Sequence, residues 1–544
     1  YKIIKKLLTP LIMNKPEILV LIFFFFFLDI SASEKIYNIV KFGAIGNGIH
    51  LNTKEINQAI IECNKNGGGT ILIPKGKFLT GTITLLSNVN IKLESGAEII
   101  GSKKISDYMI MPDGYYYSGI NYAGIFFGNN IENISISGNG KIDGNGSFFM
   151  NFEKRFRWSK NESKLTRQGD TYMSNQNIED GPVDYEERPG HLFTISNSRN
   201  IEINELYLKD SPKWTIRIGG SENINIHRIV IDNNLFIPNN DGIHITSSRN
   251  VVISKCDVIA GDDAIIVTGF SSGDKNIDYK FGNKSKISEN IKINDCKLKS
   301  RSSAIRVGYG ENAIKNVVFK NIIIESSNRG IGVFSRNNSL IENIIFKNIK
   351  INTRIHSGGW WGRGEPIHIS SIKNTNEGIA GKINKIYFSN ITANSGSGIL
   401  IYAEKNDLIK NLKFQNINLT IKNGKYTKAY GGNLDIRPSY SADNSVFKFD
   451  IPAIYGQNIK NLEIDKFRLK WDDDLPSFYT HAIEIKNFSE LLIKNFNGYP
   501  GPKNQKLSAI KLSNGNNILL IKTKTPIGYN LLLQENLKSI TIKK

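Results

Sequence analysis

Short runs of alternating apolar and polar residues, each headed by an asparagine and closed by a turn, recur along the chain from about residue 130 onward. They read SRNIEI, SENINI, SRNVVI, SENIKI, IKNVVF, IENIIF, IKNLKF and IKNLEI, with the asparagine at 200, 223, 250, 290, 316, 343, 411 and 461. Four of the steps are 23, 27, 26 and 27 residues, and the longer steps leave room for inserted loops. Period-two alternation rich in Ile and Val predicts strands. A unit this short cannot bury its apolar face alone, so successive units must stack. The predicted fold is all-β, a single-stranded right-handed parallel β-helix. The asparagines form a ladder at one turn, where an amide can bond the backbone of adjacent coils.

A solenoid needs its end covered. LNTKEINQAIIECNKNGGG, from Leu51 to Gly69, switches to helical period: a polar start at Asn52 or Thr53, then Ile56, Ala59, Ile60 and Cys63 on one face, and Gly67 as a stop. This predicts an N-terminal capping helix over the first coil.

A second alignment rests on inward apolar pairs: Ile216/Ile218, Ile243/Ile245, Ile265/Val267, Ile305/Val307, Ile331/Val333, Ile367/Ile369 and Ile399/Ile401. Side chains alternate across a strand, so the residue between each pair faces outward. That outward column reads Arg217, His244, Ile266, Arg306, Gly332, His368 and Leu400. Two positions before each pair, at the strand entry, stand Trp214, Asp241, Asp263, Ser303, Arg329, Glu365 and Ser397. Together the two columns predict a polar, partly aromatic groove along one face.

Asp241 and Asp263 fall on adjacent coils with Asp262 beside them. Crowding three carboxylates raises at least one pKa. A structural protein gains little from this, whereas acid/base catalysis needs one protonated and one ionised carboxyl near neutrality. The bland alternative is three solvated turn aspartates.

Upstream, MNKPEILVLIFFFFFLDISAS has a basic start, an apolar core from Ile18 to Leu28 and small residues Ser31, Ala32 and Ser33. The core is shorter than the roughly 20 residues that span a bilayer, so it predicts a secretory signal with Met13 as the true start and the mature chain beginning near Glu34. The expected organisation is 1–33 signal region, 34–100 cap and first coils, and 101–544 catalytic β-helix. The expected location is secreted or periplasmic, without stable membrane insertion. Of the 544 residues, 70 are Lys or Arg and 50 Asp or Glu, a formal charge of +20. That field attracts polyanions, but the basic residues are scattered and no reading helix, zinc spacing or RNA-binding phrase is present, which argues against nucleic acid. Three cysteines, Cys63, Cys256 and Cys296, exclude a disulfide scaffold, and the last two occupy equivalent places in two repeats. No metal-ligand spacing or phosphate-cradling loop occurs, so no cofactor and no metal are expected.

With these motifs in view, the sequence resembles the polygalacturonase-like enzymes of glycoside hydrolase family 28. VKFGAIGNGIHLNTKEINQAIIECNKNGGGTILIPKGKFLTGTITLLSNVNIKLESGAEI is similar to the family's N-terminal region, GNGKIDGNG to its first-coil motif, and SPKWTIRI, NNDGIHI and GDDAIIV follow in the family's order. The family's Asn-Thr-Asp appears as Asn239-Asn240-Asp241, and Gly-Asp-Asp is intact at 261–263. The resemblance implies inverting hydrolysis of a glycosidic bond in a pectin-like or other acidic polysaccharide. In it Asp262 is the proton donor, and Asp241 and Asp263 activate water. Two departures stand out. Where the family carries Gly-His-Gly this chain has Ser302-Ser303-Ala304, and its Arg-Ile-Lys falls on Gly332-Val333-Phe334. Substrate-binding candidates that remain are Asn239, His244, Arg306, Arg329, Glu365 and His368, with Arg306 read as a fork for a substrate carboxylate or sulfate. Trp360 and Trp361, in RIHSGGWWGRGEPIHI, are read either as sugar platforms or as loop packing. The alternatives are a silent polysaccharide-binding β-helix, a hydrolase for rhamnogalacturonan or an algal galactan, and, ranked lowest, a lyase. The long step from 250 to 290 and the segment 145–190 suggest walls that favour an exo-acting site.

Overall fold

The alternating runs wind into three stacks of parallel strands. A computed structural model describes residues 35–111, 121–155, 164–174, 179–271, 287–441 and 445–543; the expected signal region, 1–33, lies outside them. One stack runs Phe193–Ser196, Ile216–Gly219, Ile243–Thr246, Ile265–Thr268, Ser303–Gly308, Arg329–Ser335, Ile367–Ser371 and Ile399–Ala403, each parallel to the next. A second begins Arg199–Asn204, Glu222–His227, Arg249–Ser254 and Ser288–Asn294. A third begins Tyr207–Lys209, Val230–Asp232, Asp257–Ala260 and Lys297–Ser300. The result is a right-handed parallel β-helix. Two antiparallel pairs, Met150–Arg155 with Val183–Tyr185 and Asn433–Asp435 with Val446–Lys448, belong to inserted loops.

The register follows the apolar pairs. Ile216 pairs with Ile243, Ile265 with Ile305, Ile305 with Ile331, and Ile369 with Ile401. Inside, these columns are fully buried, and a row of Phe319, Phe346, Phe388 and Phe414 stacks with centroids 5.0, 4.8 and 4.8 Å apart. The predicted cap is the helix Thr53–Lys65, which buries Ile56, Ala59, Ile60 and Cys63 against strands Gly69–Ile73, Ile83–Thr84 and Val89–Leu93. Cys256 and Cys296 are buried free thiols on adjacent coils.

The asparagine ladder forms with a different bond from the one expected. Along most of the ladder the amide donates to the side-chain oxygen of the asparagine one coil back, as in Asn223 to Asn200 (3.0 Å) and Asn250 to Asn223 (3.2 Å), with Lys385 interrupting the column between Asn343 and Asn411. The backbone explains the choice of residue: Asn200, Asn223 and Asn250 all sit in the left-handed region, at φ of 56°, 57° and 55°, which asparagine tolerates better than other residues with a Cβ. Asn223→Gly should cost the two ladder bonds alone, whereas Asn223→Ala should lose about 1–2 kcal/mol more from backbone strain. Urea midpoints ranked wild type, Gly, Ala are the expected outcome, and an Ala variant as stable as the Gly variant would contradict it.

Candidate active site

The strand-entry column delivers the aspartates as the register requires. The N–H of Gly242 donates to the carbonyl of Asp263 (2.9 Å), and that of Ala264 to the carbonyl of Ser303 (3.1 Å), so Asp241, Asp263 and Ser303 stand on successive coils. All three aspartates line one cavity of about 280 Å³, near the small end of the range for ligand pockets. Trp214, Asn239, Phe270, Ser302, Arg306, Tyr309, Trp360, Trp361, Asn374 and Pro438 complete its wall.

The three carboxyls differ in their partners. Asp263 accepts from the Ser303 N–H (2.8 Å) and is ion-paired to Arg306 Nε. Asp241 Oδ2 lies 3.3 Å from His244 Nδ1 and 4.0 Å from an Arg306 terminal nitrogen. Asp262 keeps part of its surface open to the cavity. Burial among protein atoms, then the neighbouring Asp263 charge, push its pKa up to about 7, against the smaller opposing pull of Arg306, Ser302 and a backbone bond at Asn239. A carboxyl that is half-protonated near neutrality beside one salt-bridged carboxylate is the division that acid/base catalysis requires.

The remaining candidates separate. Asn239, Arg306, Trp360 and Trp361 line the cavity. Trp360 is a wall anchor: its ring is buried and its indole N–H donates to the carbonyl of Asp180. Trp361, half-buried, packs on Phe270, Tyr309 and Phe334. His244 stands behind the cavity, fully buried, stacked on Trp214 at 4.0 Å and 3.1 Å from the Thr268 hydroxyl.

Arg329, Glu365 and His368, read from the sequence as open groove residues, lie instead beneath a roof. Arg329 is fully buried, 3.9 Å from Glu365, and its guanidinium packs 5.0 Å over the Phe334 ring. Glu365 accepts from the Arg363 N–H (2.7 Å). His368 is buried edge-on to Phe334 at 5.0 Å, and burial holds its imidazole well below its ordinary pKa and so neutral. The roof comes from inserted loops: Arg329 donates to the carbonyl of Arg437 (3.5 Å), Arg336 to that of Pro438, and Asp435 holds Arg437 through bonds of 2.9 and 2.8 Å. The predicted open groove is therefore confined to the cavity around the aspartates.

Sequence reasoning missed Ser302, Tyr309, Phe270, Asn374 and Pro438. Tyr309 had a local signal, since it sits between Gly308 and Gly310; in the structure it takes φ +73°, a conformation unusual for a bulky residue. Asn374 and Pro438 come from remote loops and had none. Among the described residues, no group of three or more His, Cys, Asp or Glu side chains is arranged to hold a metal ion, and no helix is long and apolar enough to cross a membrane.

Over 248 residues the chain is 32% identical to a probable polygalacturonase of Vitis vinifera, covering 44% of this chain and 45% of that protein. It is 26% identical over 270 residues to an exo-poly-alpha-D-galacturonosidase of Dickeya chrysanthemi, covering 43% and 42%. The chain thus spans less than half the length of these two relatives. Among solved structures, the family 28 exopolygalacturonase of Yersinia enterocolitica shares the fold, with a TM-score of 0.51 at 16% identity over 94% of this chain and 79% of that one. The profile of glycosyl hydrolases family 28 matches residues 63–430, which include all three aspartates and most of the coils. On that match, which spans well over half of its length, the chain belongs to glycosyl hydrolases family 28.

Proposed function

We propose that the protein is an exported glycoside hydrolase that cleaves a pectin-like polysaccharide by single displacement. Asp262 protonates the leaving glycosidic oxygen, and Asp241 and Asp263 activate the water that attacks the opposite face of the sugar. The observation that carries this reading is one carboxyl raised to about 7 in the same cavity as a salt-bridged partner. Its neighbours in family 28, which carry the names polygalacturonase and exo-poly-alpha-D-galacturonosidase, support a galacturonan-type substrate. A short cavity walled by Trp360, Trp361 and Pro438 favours attack at a chain end. Export is supported by the apolar run Ile18–Leu28 and the small residues after it.

The test is incubation of the purified protein with polygalacturonan, rhamnogalacturonan and sulfated galactan. New reducing ends are expected without the ultraviolet absorbance of an unsaturated uronate, with single sugars appearing from the first time points. Because the donor must be protonated, kcat/KM should be sustained below pH 7 and fall as pH rises through about 7, the value to which Asp262 is displaced. An absorbance rise indicates elimination and overturns the reading, as does a lack of new reducing ends on all three glycans.

A further inference from the structure

Arg306 occupies an unusual place in the cavity wall. It pairs across the sheet with Ile266, which in turn pairs with His244, so its Cα is two coils from His244. Asp263 belongs to the coil before it and Asp241 to the coil before that, and its side chain reaches back over Ile266 to both. Its Nε pairs with Asp263 and a terminal nitrogen is 4.0 Å from Asp241. One face of the guanidinium lies 4.7 Å from the centre of the Tyr309 ring. That ring is held by Phe270 and Phe334, each 6.4 Å away. Its backbone is fixed between Gly308 and Gly310, where an added Cβ would meet the Phe334 carbonyl oxygen at 2.0 Å or the Gly269 backbone at 2.2 Å. The Arg306 side chain is only 12% exposed. Its edges are therefore turned to carboxylates and its plane to an aromatic ring.

Resting on the hydrolase reading above, we infer that Arg306 is a positioning residue that bridges Asp263 and Asp241 and keeps both ionised, and that it does not bind a substrate carboxylate. A planar cation with several donors can serve two carboxylates at once, offsetting their mutual repulsion. Asp262 has no such partnership and takes the proton. The arginine thus sorts three chemically identical side chains into two bases and one acid, at the part of the wall where Ser302-Ser303-Ala304 leaves no histidine. The charged and titratable groups facing this arrangement are Asp241, Asp262, Asp263 and Tyr309 around Arg306, His244 on Asp241, and Arg329 and Arg336 beyond Tyr309.

The test compares wild type, Arg306→Met and Arg306→Lys. Removing the cation should move the rising limb of the kcat/KM profile to higher pH by roughly 1–3 units, the span an adjacent opposite charge confers on a carboxylate. Lysine should restore part of the shift, and KM for a uronate glycan should change little. A parallel titration of ¹³C-carboxyl aspartate signals, assigned with Asp241→Asn and Asp263→Asn, needs no turnover. There the Met variant should raise the titration of both bases. Unmoved carboxyl titrations overturn the inference even if the enzyme is active. A raised KM on uronate glycans with an unshifted profile would show that Arg306 is a substrate clamp instead. Shifted titrations in a protein that cleaves no glycan would sustain the inference about Arg306 and sink only the hydrolase reading.

Discussion

Asp262→Asn is expected to lower kcat by about 10²–10⁴-fold, the contribution of a well-placed general acid, while glycan binding survives. Asparagine keeps the shape of the side chain and its capacity to accept from Ser302, but has no proton to give to a leaving oxygen. The same substitution should not harm the fold. In the wild type the folded state favours the protonated form of Asp262, because burial and Asp263 displace its pKa upward. For an acid displaced upward, the folded state loses stability as pH rises from the ordinary aspartate range through about 7. The variant lacks that loss. Its melting temperature should match or exceed wild type above pH 7, so reduced turnover cannot be traced to unfolding. Reducing-end assays beside thermal melts at two pH values check both halves, and turnover equal to wild type would remove Asp262 from the donor role.

Phe388→Ala is expected to cost about 3–5 kcal/mol, the usual loss for a large aromatic removed from a packed interior. Phe388 is fully buried and stands third in the row Phe319, Phe346, Phe388, Phe414, with its neighbours 4.8 Å away and interplanar angles of 8° and 3°. Its removal takes a stacking partner from both, each such pair contributing about 0.5–1.5 kcal/mol beyond buried area. The gap cannot close easily, because coil spacing is fixed by backbone bonds on every side. Phe388→Leu should cost distinctly less. Guanidinium unfolding read by circular dichroism checks the ranking, and an unchanged midpoint for the alanine variant would mean the row is not an energetic unit. Since each coil of a solenoid contacts only its neighbours, the folded variant should keep its activity at low temperature.

Much of this architecture was legible along the chain. The inward pairs set a register that the coordinates reproduce residue by residue, including His244 with Ile266 and Arg306 with Gly332. The capping helix and the ladder were legible for the same reason. The ladder bond was misread because the sequence shows that asparagines align but not that each sits in the left-handed region, which turns its amide toward the next rung. Arg306 falls on the column the alternation assigns, and its ion pair with Asp263 was not legible, since alternation gives the direction of a Cβ and leaves open where a long side chain ends.

What the sequence by itself determined is everything that depends on a local period: coils, core columns, ladder positions and the adjacency of Asp241, Asp262 and Asp263. These follow from nearest-neighbour stacking, in which each unit meets the same surface as the one before. Only the tertiary structure decided which part of that face stays open. Trp360 reaches the carbonyl of Asp180, and Arg329 and Arg336 reach Arg437 and Pro438, partners 180, 108 and 102 residues away. Loops that return from such distances carry no period. Whether an outward residue such as His368 meets sugar or lies under a roof is therefore set by long-range packing, which no repeat in the sequence encodes.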